Sequence, residues 1–444
     1  PANGKALEEM LAEQAWALCG RGKKVVRVLV YCDRRKVAEK TKKEIEGRAK
    51  GDKKNGVLSI DIETELFVGA RRVKERADAA ERLKTLGFLA GSGVKLARPA
   101  FLIATSAGEV GVDLDADHMV CDPVPWERMV QRLGRVNRLG NGNAQVILVH
   151  EGKPEAKKPD EPSPGELRAM VAWRSLQLLD NLSKGSGIDV SPGALRKLKL
   201  RAEKDSKLQE KIEASTTPSP LYPALTRALV DAWSMTSLEK HAGRPEVTPW
   251  LRGWVEDDVP QTAVVWRKYL PVRAEGGDAS NEEVEDFFEA APQHLSEKLD
   301  TETWRVVAWI IARAGKLRDA GVLRDEETVA FVLAPDGELR RSYRVHDLVE
   351  CNGDKKREER FGKVLAGATL IVDARLSGLK DGLLDDAEDG EGIRTADDGG
   401  DWPADIRFRI RVASGNDTLE SSARITHAFA RRRSGEGEDI ERLL

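Results

Sequence analysis

The sequence predicts an α/β protein that opens with a parallel sheet flanked by helices. Short apolar runs of strand length alternate with helical patterns through residues 1–155, and this alternation predicts βαβ units. The run Val25–Tyr31 (VVRVLVY) is apolar apart from Arg27 and rich in β-branched residues, as in strands that are covered on both faces. Together these two observations predict a parallel sheet.

The predicted elements of this sheet follow one another closely along the chain. Helical patterns cover Ala6–Leu18, Arg34–Arg48, Val73–Leu83 and Trp126–Leu133. Strand-like runs cover Val25–Tyr31, Glu65–Val68, Pro99–Thr105, His118–Cys121 and Ala144–His150.

Beyond residue 155 the pattern changes, and two further regions are predicted. A segment rich in Lys, Glu and Pro leads into a helical linker region at 156–240, with helical patterns at Gly165–Leu182, Pro192–Ile212 and Ala224–Met235. Residues 241–444 form a mixed α+β accessory region with a helical stretch at Glu282–Ala314 and strand-like pieces at Thr262–Tyr269, Thr328–Leu333, Thr369–Val372 and Ile406–Val412. The acidic, Gly-rich segment 381–401 predicts a surface loop.

Composition excludes several classes of protein. The formal net charge is −3, so nucleic-acid binding would have to come from local basic patches. The four cysteines are widely spaced, which signals neither a zinc site nor a disulfide framework. No apolar run approaches the roughly 20 residues that span a bilayer. We therefore expect a cytoplasmic protein with no membrane segment and no structural metal.

The segment Gln131–Arg138 (QRLGRVNR) is rich in arginine, and two of its arginines, Arg135 and Arg138, carry the argument. On a helix, Gln131, Arg135 and Arg138 would fall near one face, because steps of three and four residues make neighbours. An arginine presents a charged fork that matches phosphate oxygens, and one aimed at a transferring phosphoryl group acts as a finger. Gly134 removes a side chain where a backbone or a phosphate must come close. The alternative is a solvated basic helix that makes surface ion pairs.

A second segment, Ala104–Asp115 (ATSAGEVGVDLD), directly follows an apolar run of strand length. Hydroxyl side chains at the end of a strand, here Thr105 and Ser106, can reach a nucleic-acid phosphate. Gly111 allows a sharp backbone turn. Asp113 could accept a hydrogen bond from a nucleotide ribose or hold one of the arginines. Taken alone, this segment could also be a simple turn with an Asp cap.

In this order and spacing the two segments resemble motifs V and VI of superfamily 2 helicases. The sequences VGVDLD and GRVNR are most similar to those of the helicase–nuclease of type I CRISPR systems. Three downstream phrases resemble the type I-U (also called I-G) branch of that family: TTPSPLYPALTRALVDAWSMTSL, HAGRPEVTPWLRGW and VPQTAVVWRKYLPVR. The resemblance covers most of residues 1–275. It implies a RecA-like second motor lobe at 1–155, from a protein whose first RecA-like lobe is missing here.

The resemblance also implies roles for individual residues in ATP binding. Arg138, the better candidate for the finger, and Arg135 would contact the β- and γ-phosphates across a lobe interface. Gln131 would orient the nucleotide or the attacking water. Gly111 and Asp113 would lie beside the ribose.

For nucleic acid, the resemblance implies contacts at two places. Thr105 and Ser106 would lie on the DNA backbone. Arg71, Arg72 and Arg76, in LFVGARRVKER, match the position of an accessory motif that grips the tracked strand. The alternative for these arginines is a charged helix face.

Two ATP-site motifs are not found in the sequence. It holds no GxxxxGK[ST] and no DExH-type carboxylate pair on a strand, which together cradle phosphate and hold magnesium in such motors. The resemblance implies ATP with magnesium as the cofactor, and because these motifs are absent we expect the magnesium ligands on the first RecA-like lobe and no ATP hydrolysis by this chain alone. The expected partners are that first lobe, single-stranded DNA and a Cascade-type CRISPR surveillance complex.

Two further features favour structural roles. His346-Asp347 is an HD dipeptide, but the chain has only six histidines and the surroundings (YRVHDLVEC) look strand-like, so we predict a structural histidine and no metal site. Trp250, Trp254 and Trp266 could stack on bases, but tryptophans at such spacing more often fill a core.

The sequence thus predicts the C-terminal half of an ATP-dependent DNA helicase or translocase of type I CRISPR interference. Two alternatives remain. One is another superfamily 2 motor, such as an RNA helicase or a restriction-type translocase. The other is a lobe that binds nucleic acid or a partner without catalysis.

Overall fold

The computed structural model describes residues 5–51, 58–158, 161–185, 187–235, 244–253, 259–272, 279–385, 393 and 395. The structural statements that follow concern these residues. Their contacts divide the chain into two compact units. The first comprises Pro1–Gly69 and Ala79–Asp258, and the second comprises Ala70–Asp78 and Val259–Leu444.

A five-stranded parallel sheet forms the centre of the first unit. Its strands are β1 (Arg27–Tyr31), β2 (Glu63–Phe67), β3 (Ala100–Ala104), β4 (His118–Cys121) and β5 (Val146–Leu148). Their order is β2-β3-β1-β4-β5, and all neighbours run parallel. The central strand β1 aligns Tyr31 with Ala104 on one side and with Cys121 on the other. The predicted α/β class with a parallel sheet is confirmed.

Helices cover both faces of this sheet, which explains why its central strands are apolar throughout. On one face lie α1 (Leu7–Leu18) and α2 (Arg35–Ala49), where Trp16 stacks on Phe101 with ring centroids 6.1 Å apart. On the other face, Leu83 near the end of α3 (Val73–Thr85) and Met129 of α4 (Trp126–Leu133) share a core with the sheet. All five residues of β3 are buried.

The first unit continues into a series of shorter elements. These are α5 (Pro164–Leu179), the hairpin strands β6 (Ser183–Lys184) and β7 (Gly187–Ile188), α6 (Pro192–Ala202), α7 (Ser206–Ala214), α8 (Arg227–Ser234) and α9 (Thr248–Arg252). Leu178, Leu198 and Leu208 pack into the same core as the sheet. The single helix predicted at 192–212 is two helices, because the Asp205 side chain accepts the Leu208 backbone N–H at 3.2 Å and begins a new one.

The second unit is built on a mixed sheet. Its strands are β8 (Gln261–Arg267), β9 (Leu299–Glu302), β10 (Thr328–Leu333), β11 (Leu339–Arg344) and β12 (Thr369–Asp373), in the order β11-β10-β12-β8-β9. Only β8 and β12 pair in parallel, and the other neighbours are antiparallel. A small hairpin follows, formed by β13 (Leu379–Lys380) and β14 (Leu383–Leu384).

Four helices accompany this sheet: α10 (Asn281–Ala290), α11 (Thr303–Asp319), α12 (Val345–Val349) and α13 (Lys355–Leu365). The long helix α11 is mostly buried, and its Trp309 meets Trp266 of β8 edge to face with centroids 5.5 Å apart. The prediction that Trp266 fills a core is confirmed. Trp250 meets Trp233 edge to face at 5.1 Å in the first unit, and Trp254 lies outside the described residues.

Two local predictions for this unit are wrong. The helical stretch expected at 282–314 is interrupted, because α10 ends at Ala290 just before Pro292, and β9 then pairs with β8 ahead of α11. His346-Asp347 does not lie in a strand-like stretch but on α12, where Asp347 accepts the Arg344 backbone N–H at 3.0 Å and begins the helix.

Some predictions fall outside the described part of the chain. These are the strand-like piece 406–412 and, apart from residues 381–385, 393 and 395, the acidic segment 381–401. Within the described ranges, no helix is both long enough and apolar enough to cross a bilayer.

Candidate functional site

The segment that follows β3 turns sharply at the carboxyl edge of the parallel sheet. Its 3-10 turn, Ser106–Gly108, begins after Thr105. The Thr105 side chain is buried and its backbone N–H donates to the Phe67 carbonyl at 3.1 Å, whereas Ser106 is exposed. The Tyr31 hydroxyl donates to the Gly108 carbonyl at 2.6 Å and fixes the turn on β1. Gly111 has a positive φ of 80°, which glycine adopts without strain.

The helix predicted at Trp126–Leu133 is confirmed, and because it does not reach Arg135, the single helix face considered for Gln131, Arg135 and Arg138 does not form. Helix α4 ends at Leu133, and Gly134 follows as its C-cap. The chain then leaves the helix to form a bridge between Val136 and Ala116. A side chain at position 134 would meet only the Gln131 and Val130 carbonyls, at 3.4 and 3.6 Å, so no distant backbone approaches Gly134.

A buried carboxylate, Glu109, joins the segment after β3 to α4. Arg128 donates to both Glu109 oxygens, Nε at 2.8 Å and Nη2 at 2.9 Å, and Arg132 Nε donates to Oε1 at 2.7 Å. Arg132 also donates from Nη1 to the Asp122 side chain at 2.9 Å, and Arg128 donates to Asp33 at 2.6 Å. Glu109 is 2% exposed and Arg132 is fully buried. Buried charges of this kind are stable only when they are paired.

The electrostatics of this cluster follow from burial and from its paired charges. Burial alone would lower the pKa of Arg132, but Asp122, Cys121 and Glu109 raise it above its ordinary value. Burial raises the pKa of Asp122 against the opposing pull of Arg132. Burial also raises the pKa of the Tyr31 hydroxyl, which lies under the Arg132 guanidinium with 4.9 Å from its carbon to the ring centroid. The guanidinium therefore stays charged at every physiological pH.

The two arginines predicted to contact phosphate converge on one carboxylate. Arg138 Nη2 lies 2.8 Å from Asp113 Oδ1, and Arg135 Nη1 lies 3.7 Å from the same oxygen. Arg135 Nη2 also donates to the Glu109 carbonyl at 2.6 Å. The Arg138 backbone N–H donates to Asp115 at 2.9 Å. Although no single helix carries both arginines, the fold brings their side chains together.

The exposure of these side chains differs. Asp113 and Arg138 are largely exposed, at 61% and 41% of the side chain, whereas Arg135 is mostly covered, at 15%. Gln131 is exposed on α4, and its side chain makes no hydrogen bond to a described residue. Arg138 and Gln131 are thus accessible from solvent, while Arg135 is held in place.

The arginines of the predicted strand-gripping motif are placed differently from one another. They belong to the second unit, where Arg71 and Arg72 are buried at 5% and 2% exposure. Arg72 Nε donates to Glu75 at 2.7 Å, and its backbone N–H donates to the Gly382 carbonyl at 2.7 Å. A direct phosphate contact does not fit this placement of Arg71 and Arg72. Arg76 is exposed and remains a candidate.

No group of three or more potential metal ligands occurs among the described residues. His346 is exposed on α12 and lies 3.1 Å from Glu350. His294 begins a 3-10 turn, where its side chain accepts the Ser296 backbone N–H at 3.1 Å. His427 lies outside the described residues.

Sequence reasoning missed the residues that connect the two segments. Glu109 stands inside the segment that was singled out, and Arg128 and Arg132 precede Arg135 by seven and three residues. The available signal was their i, i+4 spacing on a short helix whose other face is apolar. That signal alone cannot distinguish buried arginines from exposed ones.

The first unit thus has a five-stranded parallel sheet covered by helices on both faces, and Glu109 joins the segment after β3 to α4 and to Arg135. Residues 24–141 match the family model described as CRISPR-associated nuclease/helicase Cas3, C-terminal. This part of the chain is therefore similar to the C-terminal region of Cas3 proteins.

Individual relatives are similar over limited lengths. The CRISPR-associated nuclease/helicase Cas3 of Haloferax volcanii is 30% identical over 113 residues, which is 24% of this chain and 12% of the relative. The crystal structure of T. fusca Cas3-ATP aligns at 14% identity and a TM-score of 0.39 over 77% of this chain and 40% of that one. The Cas3-ADP structure aligns at 16% and 0.40 over the same shares. The chain thus covers well under two thirds of each of these proteins.

Proposed function

We propose that this chain is the second motor lobe of an ATP-dependent DNA helicase or translocase that acts in type I CRISPR interference. The observation that carries the proposal is the convergence of Arg135 and Arg138 on Asp113, at the end of the segment that also holds Thr105 and Ser106. The match of residues 24–141 to the family model of the Cas3 C-terminal region supports it. The downstream phrases noted above suggest the I-U branch.

In this proposal Asp113 neutralises the two arginines as long as no nucleotide is bound. An ATP phosphate offers two arginines more negative charge and more acceptor oxygens than one exposed carboxylate does. Arg138 is exposed enough to turn from Asp113 to the γ-phosphate and act as the finger. Arg135, tethered to the Glu109 carbonyl, would contact the phosphates with less movement. Asp113, once released, could accept a hydrogen bond from the ribose.

Neighbouring residues complete this half of the ATP site. Gln131, whose side chain is exposed and unbonded among the described residues, would orient the nucleotide or the attacking water. Gly111 and Gly134 are exposed and leave room for the nucleotide. The phosphate cradle and the magnesium ligands would come from the first RecA-like lobe, since the sequence holds no GxxxxGK[ST].

The DNA side of the proposal uses the turn after β3. Ser106 is exposed at the carboxyl edge of the sheet, where its hydroxyl could donate to a phosphate oxygen. Thr105 is buried, so we assign its contact to the backbone at the start of the turn. Arg76 would add a phosphate contact from the second unit, with Arg71 and Arg72 as structural supports.

Glu109 offers a physical link between these two functions. It is three residues from Ser106, it binds the α4 arginines through its carboxylate, and it holds Arg135 through its carbonyl. A shift of the DNA-contacting turn would therefore move an arginine of the ATP site. In the whole enzyme, ATP binding would close this lobe on the first lobe, and hydrolysis would reopen it. The single-stranded DNA would then pass to a nuclease domain. A Cascade-type surveillance complex would be the partner that delivers the DNA.

The test is DNA-stimulated ATP hydrolysis by the full-length protein with Arg138→Ala. Removing an arginine finger lowers kcat by about 10³-fold or more, so we expect a loss of that order with nucleotide binding largely retained. A matched control is Arg98→Ala. Arg98 is an ion-paired arginine of the first unit with 42% side-chain exposure against 41% for Arg138.

The outcomes separate the alternatives. Activity near wild type for Arg138→Ala would refute the finger assignment. Equal loss in Arg98→Ala would indicate a general effect of removing a surface arginine. Stimulation by RNA in place of DNA would favour an RNA helicase, and an ATPase that no nucleic acid stimulates would refute the motor.

A further inference from the structure

A small cleft in the second unit is lined by three arginines, and two of them have no ion-pair partner among the described residues. The cleft encloses about 250 Å³ between β11, α12 and α13. Arg341 of β11 and Arg360 of α13 line it, and both are exposed. Neither makes a hydrogen bond or an ion pair with a described residue. Unpaired arginines that line the same cleft create a local positive potential in a chain whose net charge is −3.

This placement differs from that of other arginines in the same unit. Arg267 pairs with Glu297 at 2.7 Å, Arg313 donates to the Leu376 carbonyl at 2.8 Å, and Arg375 pairs with Asp373 at 2.9 Å. These arginines stabilise the fold. Arg341 and Arg360 contribute no such contact, so their charges are available to a ligand.

The walls of the cleft hold Arg341 in position. Its guanidinium carbon lies 5.0 Å from the centroid of the Tyr343 ring, and that ring packs against Phe361 at 4.7 Å between centroids. Both rings are buried, and burial raises the pKa of Tyr343 to about 12. The Tyr343 ring therefore holds the Arg341 guanidinium in place. Because both rings are buried, neither offers a free face on which a base could stack.

The acidic groups of the cleft are already engaged. Glu350 forms ion pairs with Arg357 and with His346, and the hydrogen bond from Arg357 lowers its pKa. Asp347 accepts the Arg344 backbone N–H at 3.0 Å. An anion that enters the cleft would thus find two arginines without an ion-pair partner. The carboxylates beside them are already bound by other residues.

The charge continues along the helix beyond the cleft. On α13, Lys356 and Lys363 lie four residues before and three residues after Arg360, so all three share one helix face. All three are exposed. Together with Arg341 they make a basic row, which suits a ligand with repeated negative charges more than a single small anion.

We propose that this row, defined by Arg341, Lys356, Arg360 and Lys363, binds the phosphodiester backbone of a nucleic-acid strand. The arginine forks match phosphate oxygens, and the buried rings exclude base stacking. Binding is therefore independent of sequence. The choice of nucleic acid as the polyanion rests on the proposed function, whereas the presence of an anion site rests on the cleft alone.

The test measures binding of the whole chain to a fluorescein-labelled oligothymidine of about 20 nucleotides, longer than the 4–16 that a single-strand-binding fold covers. Fluorescence anisotropy is recorded without ATP from about 50 to 200 mM salt. In Arg341→Gln/Arg360→Gln the slope of log K against log salt should fall by about 1.4, since each single-strand phosphate contact contributes about 0.7. Affinity at about 100 mM salt should fall at least tenfold.

The control removes the same charge from elsewhere in the unit. Arg318→Gln/Arg324→Gln neutralises two arginines that form exposed ion pairs with Asp319 and Glu327, and its slope should equal that of wild type. Circular dichroism of both double variants should match wild type, because the side chains of Arg341 and Arg360 make no hydrogen bond to a described residue and the ion pairs of Arg318 and Arg324 lie at the surface.

Each remaining outcome decides the proposal. Wild-type affinity and slope in Arg341→Gln/Arg360→Gln overturn it and leave the motor function untouched. Absence of oligothymidine binding by the wild-type chain overturns both this proposal and the DNA part of the proposed function. Displacement of oligothymidine by poly-glutamate at equal charge concentration would identify an acidic protein as the occupant and overturn the nucleic-acid assignment.

Discussion

Glu109 is the residue on which the candidate site depends most. It is the only carboxylate among the described residues that accepts hydrogen bonds from both Arg128 and Arg132. Because Arg132 is fully buried, removal of either charge leaves the other in a low-dielectric interior. The site is therefore held together by a pair that tolerates little change.

We expect Glu109→Gln to lower the free energy of unfolding by about 3 kcal/mol, the usual cost of breaking a buried ion pair from one side. Urea unfolding followed by circular dichroism measures it. The control is Glu151→Gln, which removes the partner of Arg34 in an exposed pair, where a change below about 1 kcal/mol is normal. Equal destabilisation by the two variants would contradict the conclusion that the buried ion pairs of Glu109 stabilise the site.

At the scale of elements, the loop after α4 sets where Arg138 points. Asn137 has a positive φ of 46°, a conformation that asparagine tolerates better than most residues. Its side chain closes the loop, donating to the Gly142 carbonyl at 2.7 Å and accepting the Gly142 backbone N–H at 2.9 Å. The loop thus depends on one side chain for both its turn and its closure.

Two substitutions separate those contributions. Asn137→Gly keeps the turn and loses two exposed hydrogen bonds, so we expect a loss of about 1 kcal/mol in unfolding free energy. Asn137→Val adds the strain of a β-branched residue at positive φ, and the total should reach about 2–3 kcal/mol. Thermal unfolding measures both. Equal stability of the two variants would show that the backbone at position 137 is unstrained.

At the scale of the whole molecule, the proposed function assigns to this chain one side of an ATP site. Arg135 and Arg138 offer charge to phosphate, but the sequence holds neither GxxxxGK[ST] nor a DExH pair. These arginines alone would bind a nucleotide weakly and leave it exposed to solvent. They would not position a magnesium ion. Catalysis would then require assembly with a first lobe.

We expect the isolated chain to release no phosphate from ATP above the buffer rate, with or without oligothymidine. Adding the first lobe of the full-length protein as a separate polypeptide should restore DNA-stimulated turnover, and that turnover should be lost with Arg138→Ala. A phosphate-release assay measures each step. Turnover by the isolated chain that disappears in Arg138→Ala would contradict the half-site proposal.

The sequence by itself determined the α/β class, the parallel sheet and the position of most elements in the first 150 residues. Its apolar runs are continuous because the strands are buried on both faces, and that signal is local. The sequence also singled out the two segments that carry the candidate site, since glycines, hydroxyls and arginines at those spacings are rare outside such a function.

Only the tertiary structure decided which charges are buried, because burial depends on elements far apart in the chain. It buried Arg71 and Arg72 and inserted β9 before α11. It also set Glu109 between Arg128 and Arg132, residues 19 and 23 positions away. Periodicity reports the face of one element, whereas a buried ion pair needs two elements brought together by the packing of the whole core.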